Sequence, residues 1–456
     1  MMKTKNKINI NLLAIILLLG LGLRLINLNQ SFWLDEAISA KVAQIPFSQI
    51  GQFIKGDFNP PLYYYILNLW ENIFGASEFS LRIPSLIFGL GAIWLTFMIG
   101  RFFLDKHAKL AALLLATAPL HIYYSQEARA YSLTVFTVLT AAYFFIKSLK
   151  NKKYWICFAF FLPIMVFSHY QSLLFLPVFG IIFWWENNKK NYHHQWRTWQ
   201  TFLISFSPLL MLFLFYWPIF QKQLTMGQGS NIKNFLLLPI KFVIGRIDIG
   251  DNILHKIIVG TLTVFFWALA GLGTIKSFRH KRLFFPTACF LPLTIGIGLS
   301  FFLSIFSYFR FLYLLPFFYL LVIEGLKSFG KKTQKIIFII LLTINLLCSF
   351  IYLFNKNYHR ENWRLAVKIL QENYPQQPVF IHSKINTAFH YYNNGELKTI
   401  DKDEFIHYNE VNLISYGLPI FDPDDKIREK LKDLNFNLTW GDSFNRVGVE
   451  KWKKQI

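Results

Sequence analysis

The chain alternates between long apolar runs and short polar breaks. About eleven of the runs reach or approach the ~20 residues needed to cross ~30 Å of hydrocarbon. They lie near 10–28, 83–104, 109–124, 130–148, 154–168, 172–186, 199–219, 255–275, 284–305, 311–326 and 336–354. Basic residues give them direction. Lys3, Lys5 and Lys7 precede the first run, and further clusters follow every second one: Arg101, Lys106 and Lys109; Lys147, Lys150, Lys152 and Lys153; Lys189, Lys190 and Arg197; Lys276, Arg279, Lys281 and Arg282; Lys327, Lys331, Lys332 and Lys335. Such clusters mark cytoplasmic loops. The pattern therefore predicts a cytoplasmic N-terminus and delivers everything after 354 to the outside. No small-residue cleavage site precedes Asp35, so the first run is predicted to stay as an uncleaved span.

Residues 29–82 form a long external loop. The stretch 61–75 within it is apolar, but counting it as a span would reverse every later loop. It is predicted instead as an interfacial helix, started by Pro61 and rich in Tyr and Trp, with a second short helix near 36–50. After 354 the pattern changes. An amphipathic run at 362–373, apolar runs at 378–382 and 411–415, helix-like segments at 385–392 and 424–433, and strand-like runs at 437–440 and 446–451 predict a small α/β domain. The chain thus divides into a membrane domain, 1–354, and an extracytoplasmic domain, 355–456.

Composition agrees with a polytopic α-helical membrane protein. The 456 residues are 54% hydrophobic and only 16% charged, against ~25% charged in soluble domains. A net charge of +22 invites a nucleic-acid partner. The basic residues sit in short loops between spans, however, so no nucleic acid is expected. Cys157, Cys289 and Cys348 lie in apolar runs without metal-ligand spacing and are expected to be packing thiols. No internal repeat or glycine-rich phosphate loop is present, and His382, His390 and His407 are scattered.

The polar residues off the cytoplasmic side gather at outer span ends: Asp35, Glu36, Asp57, Asn59, Arg82, Glu127, Arg129, His169 and Arg310. The spans hold almost no acids, where a proton-driven transporter would carry them near the midplane. A polar site at headgroup depth suits a substrate with a lipid tail and an anionic head. Arg129 and Arg310 can fork onto a phosphate, and Asp35 can accept a proton from an attacking hydroxyl. Each has a plainer alternative: the arginines as snorkelling residues, His169 as a structural histidine, Pro60-Pro61 as a helix start.

Trp33-Leu34-Asp35-Glu36, Asn59-Pro60-Pro61-Leu62-Tyr63-Tyr64, Leu81-Arg82-Ile83-Pro84-Ser85 and Tyr124-Ser125-Gln126-Glu127-Ala128-Arg129, with weaker support from Ser168-His169-Tyr170 and Arg310-Phe311-Leu312-Tyr313, stand in order along the chain. Over roughly residues 8–355 it resembles the GT-C superfamily of membrane glycosyltransferases. Specifically, it resembles glycosyltransferase family 39, the family that includes the protein O-mannosyltransferases and the bacterial aminoarabinose transferase acting on lipid A. The resemblance implies a GT-C fold, a polyprenyl-phosphate sugar donor and inversion at the anomeric carbon. It implies Asp35 as base with Glu36 beside it, and a donor near Glu127, Arg129, Arg310 and the Pro60-Pro61 region; Asn59, Arg82 and His169 are expected to join them as substrate-binding residues. One carboxylate then suffices, unlike in glycosidases. Some relatives are associated with a divalent metal here. Asn59 stands where many have His or a charged residue, and Asn is a poor zinc ligand, which argues against metal dependence.

The expected activity is transfer of the sugar to an acceptor hydroxyl at the outer face of the plasma membrane. Asp35 is expected to share a cleft with Arg129 and Arg310, and the loop 220–254, with Gly227, Gly229, Gly245 and Gly250, to cover it. A flippase or exporter of lipid-linked sugars, or a non-catalytic assembly subunit, would share the groove and the basic contacts without needing an acid at Asp35.

Overall fold

The computed structural model describes residues 10–55, 57, 59–188, 195–225, 233–250, 252–302 and 306–455. Lys3, Lys5, Lys7, Lys189, Lys190, Gly227 and Gly229 lie outside them. Among the described residues, six helices are long and apolar enough to cross a membrane: Glu78–Arg101, Tyr131–Ser148, Thr198–Lys222, Ile253–Arg279, Tyr308–Leu326 and Lys331–Phe354. Asn11–Leu25, Tyr154–Ser168, Asn234–Ile244 and Phe284–Ser300 are shorter apolar helices. By its contacts the chain falls into two units. One holds Met1–Ile26, Pro46–Ile66 and Arg82–Phe354; the other holds Asn27–Ile45, Leu67–Leu81 and Asn355–Ile456.

In the first unit the expected span 109–124 is broken. Helix Ala108–Ala116 stops, and Pro119–Ser125 starts a new one. Pro119 has no amide hydrogen to continue the ladder, so backbone carbonyls are released where little water is available to receive them. Other helices supply the donors. Asn345 Nδ2 reaches Leu114 O at 3.0 Å, Arg24 Nη1 reaches Ala116 O at 2.9 Å, and Ser349 Oγ reaches Thr117 O at 2.8 Å. Arg24, wholly buried, also contacts His121 Nδ1 at 2.7 Å. Gln126 Nε2 then donates to the carbonyls of Arg24 and Ile26, while its Oε1 accepts from Tyr352. The break is thus fixed from two other helices, Ile10–Leu25 and Lys331–Phe354, and it sets where the chain emerges as Ser125–Arg129.

Helices Ile253–Arg279 and Leu315–Leu326 touch backbone to backbone. A Cβ on Gly273 would lie 2.0 Å from Leu321 O, and one on Gly325 would lie 1.9 Å from Leu269 O. Small residues permit this approach, which is how membrane helices gain packing without a hydrophobic drive between them. Gly245 follows the helix Lys233–Ile244 with φ +66°, and a Cβ there would meet Pro119 at 2.8 Å. It serves a tight, packed turn, further held by Lys241 Nζ on Ile247 O at 2.7 Å.

The first-loop helix expected near 36–50 is two helices, Leu34–Ala43 and Phe47–Ile54, parted at Pro46; the stretch 61–75 is the helix Leu62–Phe74. In the second unit, β1 (Val379–Phe380), β2 (Thr399–Ile400), β3 (Glu410–Ile414), β4 (Phe436–Phe444) and β5 (Val447–Lys454) form one sheet in the order β2-β1-β3-β5-β4. β1 runs parallel to β2 and β3; β5 is antiparallel to β3 and β4. Asn445 and Arg446, both at positive φ, make the two-residue hairpin turn that matches strand twist. Phe380, Phe405, Val411, Leu413, Ile427, Leu431, Phe436 and Trp452 form the core over which the helices Trp363–Asn373, Asn386–Asn393 and Lys426–Asp433 are arranged.

Candidate active site

The polar residues of the first unit converge through its broken helices. Tyr63 and Tyr64, consecutive on one helix, diverge by about 100°. Tyr63 Oη pairs with Ser85 Oγ at 2.8 Å, and Ser85 Oγ donates onward to the Arg129 carbonyl at 3.2 Å. Tyr64 turns back and donates to Asp57 Oδ2, while Asn59 Nδ2 donates to Asp57 Oδ1 at 3.1 Å. The Asn-Pro-Pro-Leu-Tyr-Tyr motif therefore ties Asp57 on one side to the Arg129 backbone on the other.

Arg129, Arg310 and His169 come together. His169 is 8% exposed, and burial, reinforced by Arg310 and then Arg129, pushes its pKa down to about 3. It is neutral, and its Nδ1 accepts from Gln171 N at 3.1 Å, which assigns the proton to Nε2. Tyr131 lies 6.1 Å from the His169 ring and 5.4 Å from Phe309, and Tyr124 packs on Tyr131 at 4.9 Å. Asp57 acts on Tyr170, the residue after His169, whose hydroxyl is held neutral by burial first and then by Tyr216. Glu127 and Arg82 are both wholly buried. Glu127 is close enough to act on Tyr124.

The same unit carries an apolar groove of about 550 Å³ lined by Leu62, Ile156, Phe160, Pro163, Phe167 and Leu212 among others. Phe167 meets Tyr216 edge-on at 5.1 Å, and Tyr216 is near enough to Tyr170 to act on its hydroxyl.

Two features were not singled out from sequence. Arg246 bonds the Tyr308 hydroxyl and lies 4.9 Å over the Tyr123 ring, a cation–π contact. Its signal was a lone arginine at an apolar helix end on the side predicted to lack basic clusters. Arg24, holding the helix break, showed only as a charge inside a span.

Asp35 and Glu36 belong to the second unit, in the first turn of Leu34–Ala43, and Arg129 and Arg310 to the first. Asp35 is half-buried and acts on Tyr416, whose hydroxyl donates to Glu361 at 3.3 Å. Glu36 is wholly buried, its Oε2 3.2 Å from Arg360 Nε. Among the described residues no three His, Cys, Asp or Glu side chains converge as metal ligands do, and Asn59 directs its amide nitrogen to Asp57.

Residues 59–212 match the family model for dolichyl-phosphate-mannose-protein mannosyltransferase. The structure is similar to ArnT from Cupriavidus metallidurans bound to undecaprenyl phosphate, at TM-score 0.57 and 12% identity, covering 97% of each chain. The likeness is one of fold, which is GT-C-like. The chain is also similar to the archaeal oligosaccharyltransferase AglB from Archaeoglobus fulgidus in complex with an inhibitory peptide and a dolichol-phosphate. That match has a TM-score of 0.54 and 12% identity, over 97% of this chain and 74% of that one. In sequence it is 29% identical over 128 residues to a Bacillus subtilis (strain 168) protein described as a putative mannosyltransferase, YycA. The match covers 27% of this chain and 19% of the relative's length. The expected resemblance to membrane glycosyltransferases of the mannosyltransferase type holds, as does the multi-pass membrane character.

Proposed function

We propose that the protein is a glycosyltransferase that moves a sugar from a polyprenyl-phosphate carrier to an acceptor hydroxyl at the outer face of the plasma membrane. The N-terminus is cytoplasmic and the α/β segment extracytoplasmic. One observation carries this reading: Arg129, Arg310 and a neutral His169 come together in the unit that also carries an apolar groove, whose lining residue Phe167 stands two positions before His169. Guanidinium groups suit a phosphate, the His169 Nε2–H is a further donor, and about 550 Å³ of apolar groove suits an isoprenoid tail. The lipid phosphates named with ArnT and AglB support the same substrate class.

In the proposed reaction the acceptor oxygen attacks the anomeric carbon with inversion. Asp35 takes the hydroxyl proton. The bond from that carbon to the phosphate oxygen breaks, and its electron pair leaves with the carrier phosphate, stabilised by Arg129 and Arg310. Asn59, Arg82 and Glu127 shape the donor site. Asp57 is the rival base. Both its oxygens already accept hydrogen bonds, from Tyr64 and Asn59, which marks it as a structural carboxylate.

The test is product formation in proteoliposomes from a radiolabelled polyprenyl-phosphate sugar. Asp35→Asn abolishes transfer with protein level and melting unchanged, while Asp57→Asn retains measurable turnover. Wild-type rates in Asp35→Asn refute the base role, and loss only in Asp57→Asn moves it there. Translocation of the donor without product in the intact protein supports an exporter instead.

A further inference from the structure

Asp35 and Glu36 are neighbours in sequence, yet adjacent helical residues point about 100° apart. One of them turns inward. The Glu36 carboxylate has no solvent exposure, and the Arg360 side chain facing it at 3.2 Å is 2% exposed. The residues leading into that helix are tied to the same part of the chain. Gln30 Oε1 accepts from Arg360 N at 2.9 Å, Ser31 Oγ from Arg364 N at 3.1 Å, and the Asn29 carbonyl from Arg364 Nη2 at 3.0 Å. Phe32 N donates to Tyr392 Oη at 2.7 Å, and the Phe32 ring meets Tyr391 edge-on at 5.4 Å. Tyr392 also donates to Glu78 at 2.9 Å, and Asn68 Nδ2 donates to the carbonyls of Ala43 and Ile45, closing the far end of the helix. Arg360, Arg364, Tyr391 and Tyr392 all come from the C-terminal segment, and every contact lies within the second unit.

We infer that Glu36 is a positioning residue. Its buried ion pair with Arg360 locks the first turn of Leu34–Ala43, and with it Asp35, onto the C-terminal α/β segment. That segment is then the scaffold of the catalytic loop. The catalytic consequence rests on Asp35 being the base; the lock itself does not.

A buried pair has a distinctive mutational signature. Removing one partner strands a charge, whereas replacing both with apolar residues of similar volume is tolerated. A carboxylate that touches substrate cannot be rescued in that way. The full-length protein in nanodiscs is examined as Glu36→Gln, Arg360→Met and the double Glu36→Met/Arg360→Met, by transfer kinetics and by amide hydrogen exchange. Each single variant speeds exchange across Leu34–Ala43 by about 10²- to 10³-fold. Each also lowers kcat with the donor KM within about threefold, since the groove residues are untouched. The double variant recovers wild-type protection and kcat to within about tenfold. Should the singles fail to accumulate in membranes, recovery of the double to wild-type levels supports the lock. A double as scarce as either single overturns it. A double variant with wild-type exchange and no transfer also overturns the assignment and places Glu36 against substrate. Failure of Asp35 as the base, seen in Asp35→Asn, leaves the exchange results standing.

Discussion

Asn345 sits wholly buried in the Lys331–Phe354 helix, where its Nδ2 donates to Leu114 O at 3.0 Å and contacts Tyr319 Oη at 3.3 Å. Leu114 O is one of the carbonyls released by the break before Pro119. Its other contact, from Thr117 Oγ1, is a long 3.3 Å. Asn345→Leu removes the contacts with both partners, Leu114 and Tyr319, at nearly constant volume. In a soluble core each orphaned group would cost about 1–3 kcal/mol. Bonds between membrane helices average about 0.6 and reach about 1.7 kcal/mol, because the unfolded chain in lipid also finds partners. The membrane figure governs here, so the expected loss for two interactions is about 1–2 kcal/mol. Ser349→Ala frees only Thr117 O, held at 2.8 Å, and is expected to cost about 0.6 kcal/mol.

Unfolding by SDS in bicelles measures both. The rate falls further than stability requires, because the break sets the course of Ser125–Arg129 and a shift of about 1 Å near reacting groups can cost about 10²-fold. An Asn345→Leu protein with wild-type unfolding and transfer refutes the account. A loss above about 4 kcal/mol contradicts it equally, since two bonds between membrane helices cannot supply that much.

Gly325→Ala places a methyl 1.9 Å from Leu269 O and forces two helices apart, so the protein is expected to aggregate on size exclusion. Gly271→Ala, on the partner helix with nothing within 4 Å, behaves as wild type or slightly better. For His169, with its folded pKa at about 3 against ~6.5 unfolded, the unfolded chain takes up a proton that the folded chain refuses. Stability is therefore full above about pH 6.5 and falls as pH drops toward 3, by at most about 1.4 kcal/mol per unit. His169→Gln flattens that limb in pH-dependent melting; an unchanged acid limb contradicts the burial assigned to His169.

The periodic runs and the clusters of basic residues were enough to announce a multi-pass helical protein followed by a helix-and-strand segment, because hydrocarbon thickness and strand alternation act on residues close in sequence. The last hairpin was legible for that reason, although β4 and β5 extend beyond the runs read at 437–440 and 446–451. The motifs were legible too: Pro-Pro-Leu-Tyr-Tyr and Glu127-Ala128-Arg129 do fall at one polar cluster with His169 and Arg310. Tertiary structure alone decided what neighbouring residues do. Tyr63 and Tyr64 serve different partners, and Glu36 is committed to Arg360, 324 positions along the chain. The break at Pro119 is tolerated only because Arg24, Asn345 and Ser349 arrive from other helices. An orphaned carbonyl or a buried carboxylate must find its partner wherever packing brings one, and packing is not written in local order.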